Sequence, residues 1–204
     1  MLIGIIGRKG AGKDVAGAHL VERHEFARAA FADTVKLVAQ DLFPHLTREQ
    51  LYGPIAVKEA LDVATGVTPR WILQKVGTEV GRMDQADVFL AFGISQATVR
   101  ASFAKFNVVP GLTAWIDALF ANLGDGHFVV TDVRFPNEAS SILDRRGHVI
   151  KITRPGFDTG AFNDHPSESE VDNCPFDWLV VNDGSIEDLR EKVDGTLTHV
   201  RRHA

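Results

Sequence analysis

The chain has 204 residues, 45% hydrophobic and 24% charged, with a net charge of -5. That balance suits one well-buried core and argues against the broad basic face that nucleic-acid binding requires. Cys174 is the only cysteine, which excludes an intramolecular disulfide. The start MLIGIIG lacks the charged and apolar regions of a signal peptide, and no apolar run approaches the roughly 20 residues of a membrane helix. A cytoplasmic protein acting on small molecules is expected, with no nucleic-acid or membrane partner, and any anionic substrate must meet a local cluster of Lys and Arg.

Leu2 to Ile6 reads as a buried parallel strand ending at Gly7, and Gly12 to His24 carries a helical pattern through Val15, Ala18, His19 and Val21. The next extended stretch is Glu25 to Phe31. A helix follows from about Asp33 to Phe43, with Val35, Leu37, Val38 and Leu42 on its apolar side. One or two short helices fit between Pro44 and Ala64. Thr68-Pro69 supplies a capping hydroxyl and a first-turn proline, so Arg70 to Arg82 should be helical. Ile72, Leu73, Val76 and Val80 point inward there, and Arg70, Gln74 and Gly77 share another face.

Met83 to Leu112 is hard to read apart from a helix at Ser95 to Phe106; it serves as an interface or a lid, which leaves a homodimer open. Thr113 to Leu123 is a further helix anchored by Trp115, Ile116, Leu119 and Phe120. Beyond it, His127 to Thr131, Val149 to Thr153 and Trp178 to Val181 are buried-strand runs separated by helices near Asn137 to Arg146 and Ser185 to Arg201. Alternating strands and helices predict an α/β protein with a central parallel sheet of about five strands, helices on both faces and right-handed crossovers.

Gly7 to Lys13 fits G-x-x-x-x-G-K, a loop whose backbone N–H groups curl around phosphate, backed by a helix N-terminus and one lysine. The nucleotide-binding candidates are therefore Gly7, Lys9, Gly10, Ala11, Gly12, Lys13, Asp14 and Val15. Asp14 stands where the pattern has a hydroxyl for Mg2+. Its carboxylate either ligates the metal, directly or through water, or favours the helix start electrostatically. Asp132 and Arg134 fall just past the end of a buried strand, the edge where open parallel sheets bind ligands. There Asp132 is placed to organise Mg2+, Arg134 to bridge phosphoryl oxygens, and Glu138 to orient Arg134 by an ion pair.

GRKGAGKD, PRWILQKVGTEVGR, VVTDVRFPNEA, ITRPG, the His165/Ser167/Glu168 segment and VVNDGSIEDL together resemble the bacteriophage-type deoxynucleoside monophosphate kinases over most of the chain. The resemblance implies a single P-loop NTPase-type three-layer domain over 1–204, with a helical acceptor-binding excursion at about 33–125 and a lid at about 154–175. It implies ATP and Mg2+, with Lys13 and the loop on the ATP phosphates. Phe31, Ala32, Asp33 and Lys36 would receive the acceptor monophosphate, with Arg70, Gln74, Gly77 and Trp115. Arg154 would join Lys13, Asp132 and Arg134 at the transferring phosphoryl group, and Asp14 and Asp132 would be the metal ligands. In that family Asp after the loop lysine is usual, whereas Val15 replaces a usual threonine, and the spacing ahead of Trp115 is longer.

The expected reaction is transfer from ATP to a deoxynucleoside monophosphate. Rival readings are a P-loop kinase of another phosphorylated metabolite, such as phosphomevalonate, and a non-catalytic nucleotide sensor. His199 and His203 lie four apart but have no third ligand in reach. No strained nucleophile turn accompanies His165, Ser167 and Glu168, which suits a lid or adenine-side role. Phe89, Phe92, Phe103 and Phe106 suit a core or an interface.

Overall fold

A computed structural model describes residues 1–156 and 170–203. Two compact units emerge, one of Met1–Ala30 with Gly124–Ala204, the other of Phe31–Leu123.

The first unit holds a five-stranded sheet: β1 (Leu2–Ile6), β2 (Ala27–Ala29), β3 (Phe128–Val130), β4 (His148–Thr153) and β5 (Trp178–Val181), in the order β2-β3-β1-β4-β5. All four pairings are parallel, with Ile3 opposite both Val129 and His148 at the centre. Its helices are α1 (Lys13–His24), α8 (Pro136–Asp144) and α9 (Ile186–His203). Successive strand residues point to opposite faces. Ile3, Ile5, Val129, Ile150, Ile152 and Val180 pack on one face with Ala16 and Leu20 of α1 and Leu189, Val193 and Leu197 of α9. Gly4 points the other way, where an added Cβ would lie 2.6 Å from Ile142 of α8. Helices therefore cover both faces, and the fold is the expected three-layer α/β arrangement. Each fully buried Ile or Leu in this core contributes about 1.5–3 kcal/mol.

Two expectations shift here. The second strand is only three residues long, because Phe31 already opens a helix. In α1 the buried side runs through Ala16, Gly17, His19 and Leu20, whereas Ala18 is exposed and Val21 is 37% exposed. Gly17 sets that face: a Cβ there would come within 2.6 Å of Thr131 Cγ2, so the helix lies hard against the end of β3.

The second unit contains α2 (Phe31–Leu42), α3 (Arg48–Tyr52), α4 (Ile55–Glu59), α5 (Pro69–Gln74), α6 (Gln96–Lys105) and α7 (Ala114–Asn122). Leu37, expected inward on α2, is 46% exposed, and Thr34 and Ala39 are buried in its stead. A reciprocal cap opens α3, with Gln50 N donating to Thr47 Oγ1 at 3.2 Å and Thr47 N to Gln50 Oε1 at 2.8 Å. Thr68 caps α5 as its sequence predicts, its Oγ1 accepting from Trp71 N at 3.0 Å. Phe89 and Phe103 are core side chains, edge-on to Phe43 and packed on Trp115 respectively.

The helix expected over 70–82 changes winding at Lys75 and continues as a π-helix through Val80. Gly81 N reaches back to Val76 O at 2.9 Å and Arg82 N to Thr78 O at 3.0 Å. The carbonyl between them, that of Gly77, accepts from the indole Nε1 of Trp115 at 2.7 Å.

Candidate active site

The glycine loop leaves β1 at the carboxyl edge of the sheet, between β3 and β4. Chain connections depart to opposite sides at that point, which opens a crevice in folds of this kind. Gly7 is required by proximity, since a Cβ there would sit 2.7 Å from Ile152 O. Gly10 and Gly12 take left-handed φ values of 80° and 105°, which side-chain-bearing residues rarely adopt. Gly12 is the N-cap of α1 and, lacking a side chain, makes no cap bond of its own. The first-turn N–H groups and the positive end of the helix dipole are thus left for an anion. Lys13 opens the helix half-buried, Asp14 is exposed in its first turn, and Val15 is half-buried beside the apolar core.

Asn182, just past β5, holds the loop from below. Its buried Nδ2 donates to Ala11 O at 2.9 Å, while its own N–H donates to Thr153 O at 2.7 Å. The sequence alone assigns this asparagine no role. Its only signal was a polar residue directly after an apolar strand.

Around the loop lies a cavity of about 370 Å³ lined by Gly7, Arg8, Lys9, Lys151, Thr153 and Arg154, among others. Arg8 pairs with Asp172, and Lys151 Nζ donates to Asp172 O at 3.4 Å. The hydrogen bond from Arg8 outweighs burial and holds the Asp172 carboxyl below its ordinary range. Arg154 therefore stands in a basic cleft at the end of β4. Neither Arg8 nor Lys151 was a sequence candidate.

Asp132 and Arg134, both half-buried, follow β3. Glu138 is 4% exposed, and its Oε2 accepts from the backbone N–H of Arg134 at 2.9 Å and of Phe135 at 3.1 Å. These bonds close the first turn of α8 and fix the backbone that carries Arg134. The Glu138 carboxylate thus reaches the main chain at residues 134 and 135.

In the helical unit, Phe31 is buried, Ala32 is exposed, and Asp33 accepts from Lys36 Nζ at 2.9 Å. Lys36 also lies 4.5 Å over the Tyr52 ring, which Arg48 approaches at 5.2 Å. Arg70 is 3.8 Å from Glu59, and Gln74 is exposed. Burial first, then the charges of Lys36 and Arg70, push the Lys58 ammonium below its usual range. Lys36, Lys58 and Arg70 therefore form a cationic patch, of which sequence reading found two members. Trp115 is 4% exposed, and an added Cβ on Gly81 would come within 2.3 Å of its ring. Together with its bond to Gly77, this puts the indole inside the helical core. His165, Ser167 and Glu168, with most of the segment expected as a lid, lie outside the described residues.

No helix among the described residues is long and apolar enough to cross a membrane. No family model matches the chain. A solved dephospho-CoA kinase from Campylobacter jejuni covers 98% of this chain and 96% of its own, at 15% identity and a TM-score of 0.41, an overlap too loose to carry an argument. A relative from Acanthamoeba polyphaga mimivirus, named "Putative deoxynucleotide monophosphate kinase", is 34% identical across 95% of this chain and 94% of its own length. A match of that extent, on a chain whose phosphate-type loop sits at the crevice of a parallel five-stranded sheet, shows that the protein belongs to the deoxynucleotide monophosphate kinase family.

Proposed function

We propose that the protein transfers a phosphoryl group from ATP to a deoxynucleoside 5'-monophosphate, giving the diphosphate and ADP. The observation that carries this reading is the start of α1, where left-handed glycines and an uncapped first turn leave main-chain donors beside Lys13. Those groups fit a polyphosphate, and the carboxylates of Asp14 and Asp132 are oxygen donors of the kind Mg2+ takes. Mg2+ held there would neutralise charge on the transferring group.

Phosphoryl transfer asks for alignment, charge neutralisation and exclusion of water more than for covalent chemistry. Gly7, Lys9, Gly10, Ala11, Gly12 and Val15 shape the donor loop, and Lys13 holds its phosphates. Arg134 and Arg154 offset the charge of the transition state, with Glu138 steadying the backbone of Arg134. Phe31, Ala32, Asp33, Lys36, Arg70 and Gln74 receive the acceptor, while Gly77 and Trp115 shape the helix that carries two of them. An acceptor phosphate is ionised at neutral pH, so no general base is required.

The test is coupled ADP release with Mg-ATP against dAMP, dGMP, dCMP, dTMP, their ribose counterparts and phosphomevalonate. At least one deoxynucleotide should drive turnover that Lys13→Ala abolishes. Arg134→Ala should cost about a thousandfold in kcat, roughly 4 kcal/mol of barrier, with little change in Tm. ATP binding without stimulation by any deoxynucleotide would overturn the reading.

A further inference from the structure

On the helix pair that covers one face of the sheet, three side chains outside the phosphate site converge. His19 Nε2 of α1 and His24 Nε2 of α1 each lie 2.6 Å from the same oxygen, Oδ1 of Asp194 on α9. The rings are 5.6 Å apart between centroids at 77°, and all three ligand-type atoms fall within 4.8 Å of one another. Among the described residues no other His, Cys, Asp or Glu set gathers in this way. His45 and His148 each meet a carboxylate singly, at Asp62 and Asp177.

We propose that His19, His24 and Asp194 bind one divalent transition-metal ion of the zinc class, bridging α1 to α9. Zinc holds imidazole nitrogen and carboxylate oxygen at about 2.0–2.2 Å in tetrahedral sites, so its ligand atoms stand about 3.3 Å apart. Each N···O contact must then open by roughly 0.7 Å, a shift that side-chain rotation of Asp194 supplies. The Asp194 side chain is 46% exposed, so the solvent side offers a fourth position to water, while the His19 side chain, 8% exposed, and the His24 side chain, 21% exposed, supply firm anchors. Two imidazoles and one carboxylate favour zinc, nickel or copper over Mg2+, which prefers an all-oxygen shell. The ion takes the Nε2 lone pairs, with the ring protons on Nδ1. Such a site is chemically distinct from the Mg2+ site of the proposed reaction and stands or falls separately from it.

The experiment titrates the full chain, freed of metal by a chelator, with Co2+ read by visible absorption and with Zn2+ read by competition against a chromophoric chelator. One equivalent should bind with submicromolar affinity, a large excess of Mg2+ should leave it in place, and Zn2+ should raise Tm. His24→Gln, at the more exposed of the two imidazoles, should weaken binding at least about 100-fold and abolish the Tm rise, and Asp194→Asn should do the same. Absence of binding by the unmodified protein overturns the proposal, as does a His24→Gln variant that binds like it, since the ion would then sit on other histidines.

Discussion

Asn182 ties the phosphate-type loop to the sheet through one buried amide. Asn182→Ala leaves the Ala11 carbonyl without that donor, a loss of about 1–3 kcal/mol in unfolding free energy. Under the proposed function it should also raise KM for ATP more than it lowers kcat. Asn182→Asp should be worse for ATP, because it sets a carboxylate beside the loop; equal KM values for the two variants would count against this account. Asp62, 7% exposed, plays a comparable part in the helical unit. Burial raises its pKa, but hydrogen bonds from the Thr65 hydroxyl and backbone, His45 and Gln50 more than compensate, and the folded carboxyl is held below the ordinary carboxylate range. A depressed folded pKa contributes stability that is present above about pH 4 and is lost as pH falls through the folded value. Asp62→Asn should therefore lower denaturant stability at pH 7 by about 1–3 kcal/mol, and the gap should close below pH 4. At this scale the loop residues Gly7 to Lys13 were legible because phosphate chemistry fixes their types in sequence order. Asn182, Lys58 and Arg8 were not, because their partners come from distant segments.

Strands and helices in the sheet unit could be read closely, since a continuous apolar run of β-branched residues has few other fates than a buried strand. β2 was read as the longer stretch Glu25 to Phe31, because Ala27–Ala29 has no such run to mark where the strand ends. The π-helix was invisible for a different reason: its stabilising donor is the indole of Trp115, 38 residues beyond Gly77. An extra residue per turn leaves a carbonyl to be satisfied from outside, and buried carbonyls are nearly always paired. Trp115→Phe keeps most of the ring but removes the donor, so it should cost about 1–2 kcal/mol in chemical denaturation. Gly81→Ala should cost about 1–3 kcal/mol or more, because its methyl group meets the indole head-on. Little change in either would mean that the π segment is held by other contacts.

Across the whole molecule, the pattern of strands separated by helices disclosed the fold class, but the order β2-β3-β1-β4-β5 was not legible, because pairing joins segments that are remote in the chain. Strands β2 and β3 are neighbours in the sheet although the entire Phe31–Leu123 unit intervenes between them. The central strand β1 has the same property on both sides, pairing with Phe128–Val130 and with His148–Lys151. Protein synthesis runs in the opposite sense to this need. The strand and the glycine loop are translated before the helical unit, yet β3 and β4, the sheet partners of LIGII, are translated after it. Throughout that interval an apolar strand with two unsatisfied edges is exposed to other nascent chains, the condition under which chaperones are needed most. Closing so long a connection also slows folding relative to the locally wired helices. The loop proposed to grip nucleotide is thus made well before the strands that flank it, and it acquires its shape only once they arrive.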